Sequence, residues 1–281
     1  MCDENKKYSK DAETAREYYN SKDAYNFYYH VWGGEDEHLG IYISPDDDIF
    51  TASRRTIREM SALADIDENT RIIDLGGGFA GSARYLAKKF GCHVTVLNIS
   101  EAENERGRKM NKDQGLDHLI DIVDGNFENI PFDNESFDIV WSQDAILHSS
   151  YRGKVIEEAV RVLKPGGDLI FTDPMQTGNC DEKELEPVYR RLNLSSLGSP
   201  EFYEKACREQ GLQKLRFIDL QYHLVKHYST VLELTREKEE SLKKDVSGEY
   251  LSNMKTGLGH WIDGGKKGNL TWGIFHFNKP K

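Results

Sequence analysis

The chain has 281 residues, with 48 Asp and Glu against 37 Lys and Arg and a formal net charge of −11. The length suffices for one large domain or two small ones with a buried core, and the acidic balance argues against a nucleic-acid partner. No apolar run reaches the ~18 residues of a membrane span, the start MCDENKKYSKDAETAR lacks the apolar centre of a signal peptide, and Cys2, Cys92, Cys180 and Cys207 show neither metal-ligand spacing nor C-x-x-C.

These features predict a cytoplasmic protein with reduced thiols, no metal and no membrane partner. No linker, repeat or low-complexity segment divides the chain, so residues 1–281 read as one domain. Residues 8–60 are expected to form an N-terminal helical arm, 61–175 a cofactor-binding core and 176–220 its continuation; 221–269 are expected to form a helical lid and 270–281 a last strand.

The arm carries Tyr18, Tyr19, Tyr25, Phe27, Tyr28, Tyr29, Trp32 and Tyr42. Some of these rings are expected to pack the arm onto the core and others to cover a ligand. The core opens with Arg71 to Ala87, RIIDLGGGFAGSARYLA. A short apolar strand, a glycine turn and a helix start define the first β-α unit of a nucleotide-binding α/β fold. The turn fits G-x-G-x-x-G at Gly76, Gly78 and Gly81, a pattern shared by dinucleotide enzymes and methyltransferases. Asp74 separates the two. A carboxylate beside the turn repels a pyrophosphate, whereas the ammonium and sulfonium of S-adenosylmethionine are cations that it attracts.

Further along, CHVTVLNI (residues 92–99) reads as a second strand ending at Asn98, where such folds hydrogen-bond the ribose. IVDGNFENIPF (122–132) is a third strand and loop, with Asn126 placed for the adenine amino group and Phe127 near the ring. SFDIVWSQDAILH (136–148) is a fourth strand running into a turn. EEAVRVLKPGGDLIFTDP (157–174) is a helix, a Lys-Pro-Gly-Gly turn and a fifth strand. Gln213 to Leu220 and Leu270 to Asn278 read as strands six and seven. Between them, YHLVKHYSTVLELTREKEESLKK reads as a helix and GHWIDGGKKG as a turn.

The motifs DLGGGFAG, LNIS, DGNFENIPF, FDIVWSQDAILH and LKPGGDLIFTD together resemble the class I S-adenosylmethionine-dependent methyltransferases. That resemblance implies a Rossmann-like α/β fold with a seven-stranded sheet, its last strand antiparallel, and S-adenosylmethionine as cofactor, leaving as S-adenosylhomocysteine. It places Tyr19, Asp74, Gly76, Gly78, Asn98, Ile99, Asn126, Phe127 and Gln143 around the cofactor. Asn98 and Asn126 stand where an acid is more usual.

The arm, WSQDAILHS, RLNLSSLGSPEFY, KHYSTVLEL and GHWIDGGKKGNLTWGIF narrow the likeness to sarcosine/dimethylglycine N-methyltransferases. Phosphoethanolamine methyltransferases share parts of the pattern. Membership implies two successive methylations, sarcosine to dimethylglycine and then to glycine betaine, an osmoprotectant.

The residues offer chemistry for such a reaction. A substrate ammonium with a pKa near the ~10.4 of lysine must lose a proton before it can attack, and His148 is a candidate base or relay. Gln143 and Asp144 are candidates to orient the amine; Asp144 could equally cap the following helix. Aromatic faces stabilise a developing ammonium by roughly 0.5–2 kcal/mol each, with Tyr28, Tyr29, Trp32 and Tyr42 as candidates and Trp261 and Trp272 behind them. A carboxylate is best gripped by arginine. Arg191 is the first choice, its neighbour Arg190 a surface residue, and His223, His227 and Tyr228 second choices.

Overall fold

A computed structural model describes residues 8–191 and 194–281; Leu192 and Asn193 of the RLNL block lie outside the described residues. The chain runs α1 (Lys10–Asn20), α2 (Lys22–Val31), α3 (Ile49–Ser61), β1 (Arg71–Leu75), α4 (Gly81–Phe90), β2 (His93–Asn98), α5 (Glu101–Asp113), β3 (Ile120–Asp124) and β4 (Phe137–Gln143). A single 3-10 turn, Ile146–His148, leads to α6 (Arg152–Val162), β5 (Leu163–Gln176), α7 (Glu182–Arg191), α8 (Pro200–Glu209) and β6 (Gln213–Asp219). The insertion is α9 (Gln221–Glu237), α10 (Glu239–Leu242) and α11 (Gly248–Lys266), and β7 (Leu270–Asn278) follows.

The seven strands lie in the order β3-β2-β1-β4-β5-β7-β6. Strands β1 to β5 pair in parallel, and β7 inserts antiparallel between β5 and β6. This is the class I methyltransferase architecture. The strand order reverses between β1 and β4, so their C-terminal ends open a crevice there. Alternate side chains explain why the sheet is covered on both faces. Ile72, Val94, Ile139, Trp141 and Ile274 belong to one core. Their chain neighbours Ile73, Val140 and Phe275 belong to the other.

The arm is capped and docked by short polar contacts. Ser9 and Ser21 cap α1 and α2 by accepting the Ala12 and Ala24 N–H groups at 3.2 Å. Asn20 Oδ1 accepts the Ser100 hydroxyl and the Ala102 N–H at 2.9 and 3.1 Å, which fixes α1 against the start of α5. Arg106 of α5 lies between the rings of Tyr25 and Tyr29, 3.9 and 4.0 Å from their centroids.

Three local expectations are corrected. GHWIDGGKKG is not a turn: α11 runs through it to Lys266. Gly264 and Gly265 are buried against Leu270 and Val225, where their missing side chains let the helix approach β7 and α9. The Lys-Pro-Gly-Gly stretch belongs to β5, as an irregularity where pairing shifts between Phe137 and Ile139. The insertion helix also breaks at Lys238, into α9 and α10.

Candidate active site

A cleft of about 810 Å³ opens at the reversal of the strand order. It is lined by Tyr19, Asp74, Gly76, Gly78, Asn98, Ile99, Asn126, Phe127 and Gln143, so the structure brings together all nine residues expected around a cofactor. Asp74, next to last in β1, is fully buried, and Oδ2 has no hydrogen-bond partner among the described residues. Burial pushes its carboxyl up to about 7. Gln143 Oε1 accepts the Ser82 hydroxyl and the Trp141 indole N–H at 2.6 and 2.9 Å, which leaves its buried Nε2 unpaired. Asn126 is held by its own turn, with Oδ1 accepting the Glu128 N–H at 2.9 Å.

Sequence reasoning missed an acid here. Glu103, in the first turn of α5, accepts from Asn98 Nδ2 at 2.9 Å and keeps Oε1 buried and unpartnered. Burial raises its carboxyl to about 8. Asn98 stands where an acid is usual, and Glu103 places a carboxylate beside it from the next helix. The readable signal was a glutamate at the third position of a helix that begins directly after LNIS.

The residues fit S-adenosylmethionine. Unpartnered oxygens of Asp74 and Glu103 suit a cation and ribose hydroxyls, Gln143 offers donors, and no Lys or Arg stands among the described residues that line the cleft to await a pyrophosphate. Gly78 has φ +51°, and a Cβ there would stand 2.1 Å from Glu37 Oε2. Only glycine lets the turn pass under the arm.

A second cavity of about 470 Å³ adjoins the cleft. Tyr28 and Trp32 of the arm, Tyr228 of α9 and Trp261 of α11 supply aromatic walls, with Leu39, Leu147 and Pro174 between them. Arg191, the last residue of α7, also lines it. Among the described residues no carboxylate lies within salt-bridge distance of its guanidinium, whose NH2 contacts Met254 Sδ at 2.9 Å. Gly257 makes room for this side chain, since a Cβ there would meet Arg191 NH1 at 2.5 Å. Arg190, by contrast, is exposed and paired with Glu186.

Tyr19, Glu37, Asp144 and His148 line both spaces. Tyr19 Oη and His148 Nε2 are hydrogen-bonded at 2.8 Å. Burial, with the charges of Arg152 and Arg191, holds His148 down at about 4, so the ring is neutral at pH 7. The turn carrying it is fixed by Asp173, whose Oδ1 accepts the Leu147 N–H at 3.0 Å. Asp144 adopts φ +53° and caps no helix. It accepts the Leu39 N–H at 2.7 Å and the Thr172 hydroxyl and Trp272 indole N–H at 2.8 Å, tying arm, β5 and β7 together.

Other expected substrate residues lie elsewhere. Tyr29 packs against Arg106 at the surface. Tyr42 and His227 form a buried pair behind Trp32. His227 Nδ1 accepts the Gly40 N–H and the Tyr42 hydroxyl, each at 3.1 Å, and its ring centre lies 5.4 Å from that of Trp32. His223 Nδ1 accepts the Tyr42 N–H at 3.2 Å. These histidines hold the arm in place.

Fold, glycine turn and cofactor cleft define a methyltransferase of class I, and a family model described as a methyltransferase domain matches residues 73–171. The particular family follows from relatives. The chain is 50% identical to the sarcosine/dimethylglycine N-methyltransferase of Halorhodospira halochloris, over 95% of this chain and 96% of that one. It is 52% identical, over 96% of its length, to the glycine/sarcosine/dimethylglycine N-methyltransferase of Actinopolyspora halophila, but spans only 48% of that longer protein. A Galdieria sulphuraria chain assigned as a sarcosine dimethylglycine methyltransferase superposes with a TM-score of 0.89 at 39% identity, covering 94% of this chain and 99% of that one. The chain belongs to the sarcosine/dimethylglycine N-methyltransferase family.

Proposed function

We propose that this chain methylates sarcosine to dimethylglycine and dimethylglycine to glycine betaine, using S-adenosylmethionine. Bound in the cleft, that cofactor supplies a methyl carbon on a sulfonium, open to in-line attack by an amine. The residues of the chain do the rest by position, and alignment of nucleophile and methyl is worth up to ~7–11 kcal/mol.

The observation that carries the reading is the pairing of Arg191 with an aromatic cavity beside the cofactor cleft. Arg191 grips a carboxylate through two parallel bonds. Tyr28, Trp32, Tyr228 and Trp261 then surround the amine, and their faces favour the positive charge that grows on nitrogen. Rings accommodate two or three methyl groups without demanding a hydrogen bond from them, which suits stepwise methylation. His148 is neutral and fixes the Tyr19 hydroxyl at the junction of the two spaces. A phosphomonoester would want several cations, and Arg191 is the one Lys or Arg among the described lining residues. Among the described residues no helix is long and apolar enough to cross a membrane; with Cys92, Cys180 and Cys207 free and a net charge of −11, we place the reaction in the cytoplasm, away from nucleic acid.

N-methylethanolamine tests this reading, because it keeps the secondary amine and lacks the carboxylate. Sarcosine should be the better substrate by at least about tenfold in kcat/KM. Equal turnover of the two would remove Arg191 from substrate recognition.

A further inference from the structure

A methyl group passing from the cofactor cleft to the aromatic cavity moves among the four residues common to both: Tyr19, Glu37, Asp144 and His148. Tyr19 and His148 bond each other, and both oxygens of Asp144 already accept donors. Glu37 differs. Its Oε2 accepts the Phe79 N–H at 3.2 Å, while Oε1 is buried and has no partner among the described residues. Among the described residues at the junction, the one carboxylate oxygen without a partner is therefore Glu37 Oε1, held in place by the glycine turn itself.

We propose that Glu37 Oε1 receives an N–H of the substrate ammonium and takes its proton before methyl transfer. This rests on the amine-methylation reading above. Amino acids with a basic amine arrive as zwitterions, and an ammonium has no lone pair with which to attack. The N–H bond breaks with its electron pair staying on nitrogen, and an O–H bond forms on Glu37. That pair then forms the new N–C bond as the S–C bond breaks, its electrons remaining on sulfur. Glu37 returns its proton to water when product leaves. Sarcosine and dimethylglycine both carry an N–H in their ammonium forms. Glycine betaine carries none, so the final product makes no bond to Glu37.

His148 is the poorer sink for this proton, because its ring is held at about 4. Burial, then the charge of Glu103, raises the Glu37 carboxyl well above its ordinary value and narrows the gap to the amine. The charged and titratable groups facing it are Glu103 and Arg106 of α5, Asp36 and His38 beside it in the chain, Tyr19 of α1, and Asp144 and His148 after β4.

The test is Glu37→Gln, which keeps shape and the bond from Phe79, alongside Glu37→Asp. Without the base only free amine reacts. The Gln variant should lose at least about 100-fold in kcat/KM for sarcosine at pH 7, and recover about tenfold per pH unit towards the amine pKa, ~10. The Asp variant should be slower than wild type and keep the wild-type profile. Calorimetry should show S-adenosylhomocysteine binding within about threefold of wild type. Sarcosine binding to that complex should be weakened at least about tenfold. An unchanged pH profile in the Gln variant would overturn the proposal. So would a loss of S-adenosylhomocysteine affinity equal to the loss of rate, which would assign Glu37 to the cofactor's ammonium. Absence of wild-type turnover with both substrates would overturn the functional reading and this inference with it.

Discussion

Tyr19, on the first helix of the arm, and His148, on the turn after β4, are joined by a hydrogen bond of 2.8 Å between Oη and Nε2. The bond closes the arm over the point where cleft and cavity meet. Removing the hydroxyl with Tyr19→Phe leaves a buried imidazole nitrogen unpaired, at about 1–3 kcal/mol. We expect kcat to fall about tenfold while S-adenosylhomocysteine affinity changes less than about threefold. Steady-state kinetics with calorimetry checks this, and equal losses in both would make Tyr19 a cofactor residue alone.

Arg191 should anchor the substrate carboxylate. Hydrogen bonds to charged groups contribute about 1.5–3 kcal/mol, so Arg191→Met should raise KM for sarcosine by about 10- to 150-fold. It should also erase the preference for sarcosine over N-methylethanolamine. Kinetics with both amines gives the answer directly, and a variant that retains the preference would refute the assignment.

Asp144 serves the architecture. Asp144→Ala orphans the Leu39 N–H, the Trp272 indole N–H and the Thr172 hydroxyl. Each buried orphan costs about 1–3 kcal/mol. Thermal unfolding should show a loss of several kcal/mol, and limited proteolysis should cut the arm faster. An unchanged melting temperature would contradict this.

Asp173 gives stability a pH dependence. It accepts the Tyr203 hydroxyl and the Leu147 N–H, and burial raises its carboxyl to about 8. In the unfolded chain it titrates near ~3.9. Between these values the folded state holds the extra proton, so its contribution to stability falls as pH rises, by up to about 1.4 kcal/mol per unit. Asp173→Asn cannot ionise. Relative to wild type, its denaturation midpoint should rise from pH 5 to pH 8, and parallel profiles would refute the account.

The strands, the glycine turn and the residues that line the cleft were legible because each depends on local chemistry: apolar runs, glycines and polar residues at strand ends. The lining of the aromatic cavity was legible in part. Arg191, Tyr28, Trp32 and Tyr228 line the cavity, but Tyr29 faces Arg106, while Tyr42 and His227 bond each other instead. Successive residues of α2 point to different sides, and only packing decides which side meets the sheet. Glu37 and Glu103 were missed because each lies in an acid-rich segment that reads as solvated surface. Glu37 is held by Phe79, far away in the chain, and Glu103 turns back onto Asn98 at the end of β2, a contact made only once α5 packs on the sheet. The GHWIDGGKKG stretch misled because Gly264 and Gly265 serve close packing between α11, α9 and β7, not a turn.

The most direct test of the central claim is a time course with purified protein, S-adenosylmethionine and sarcosine, following methylated products by mass spectrometry. The account predicts dimethylglycine first and glycine betaine after it, with one S-adenosylhomocysteine per methyl transferred and no further product. Turnover of phosphoethanolamine alone, or of neither amine, would contradict it.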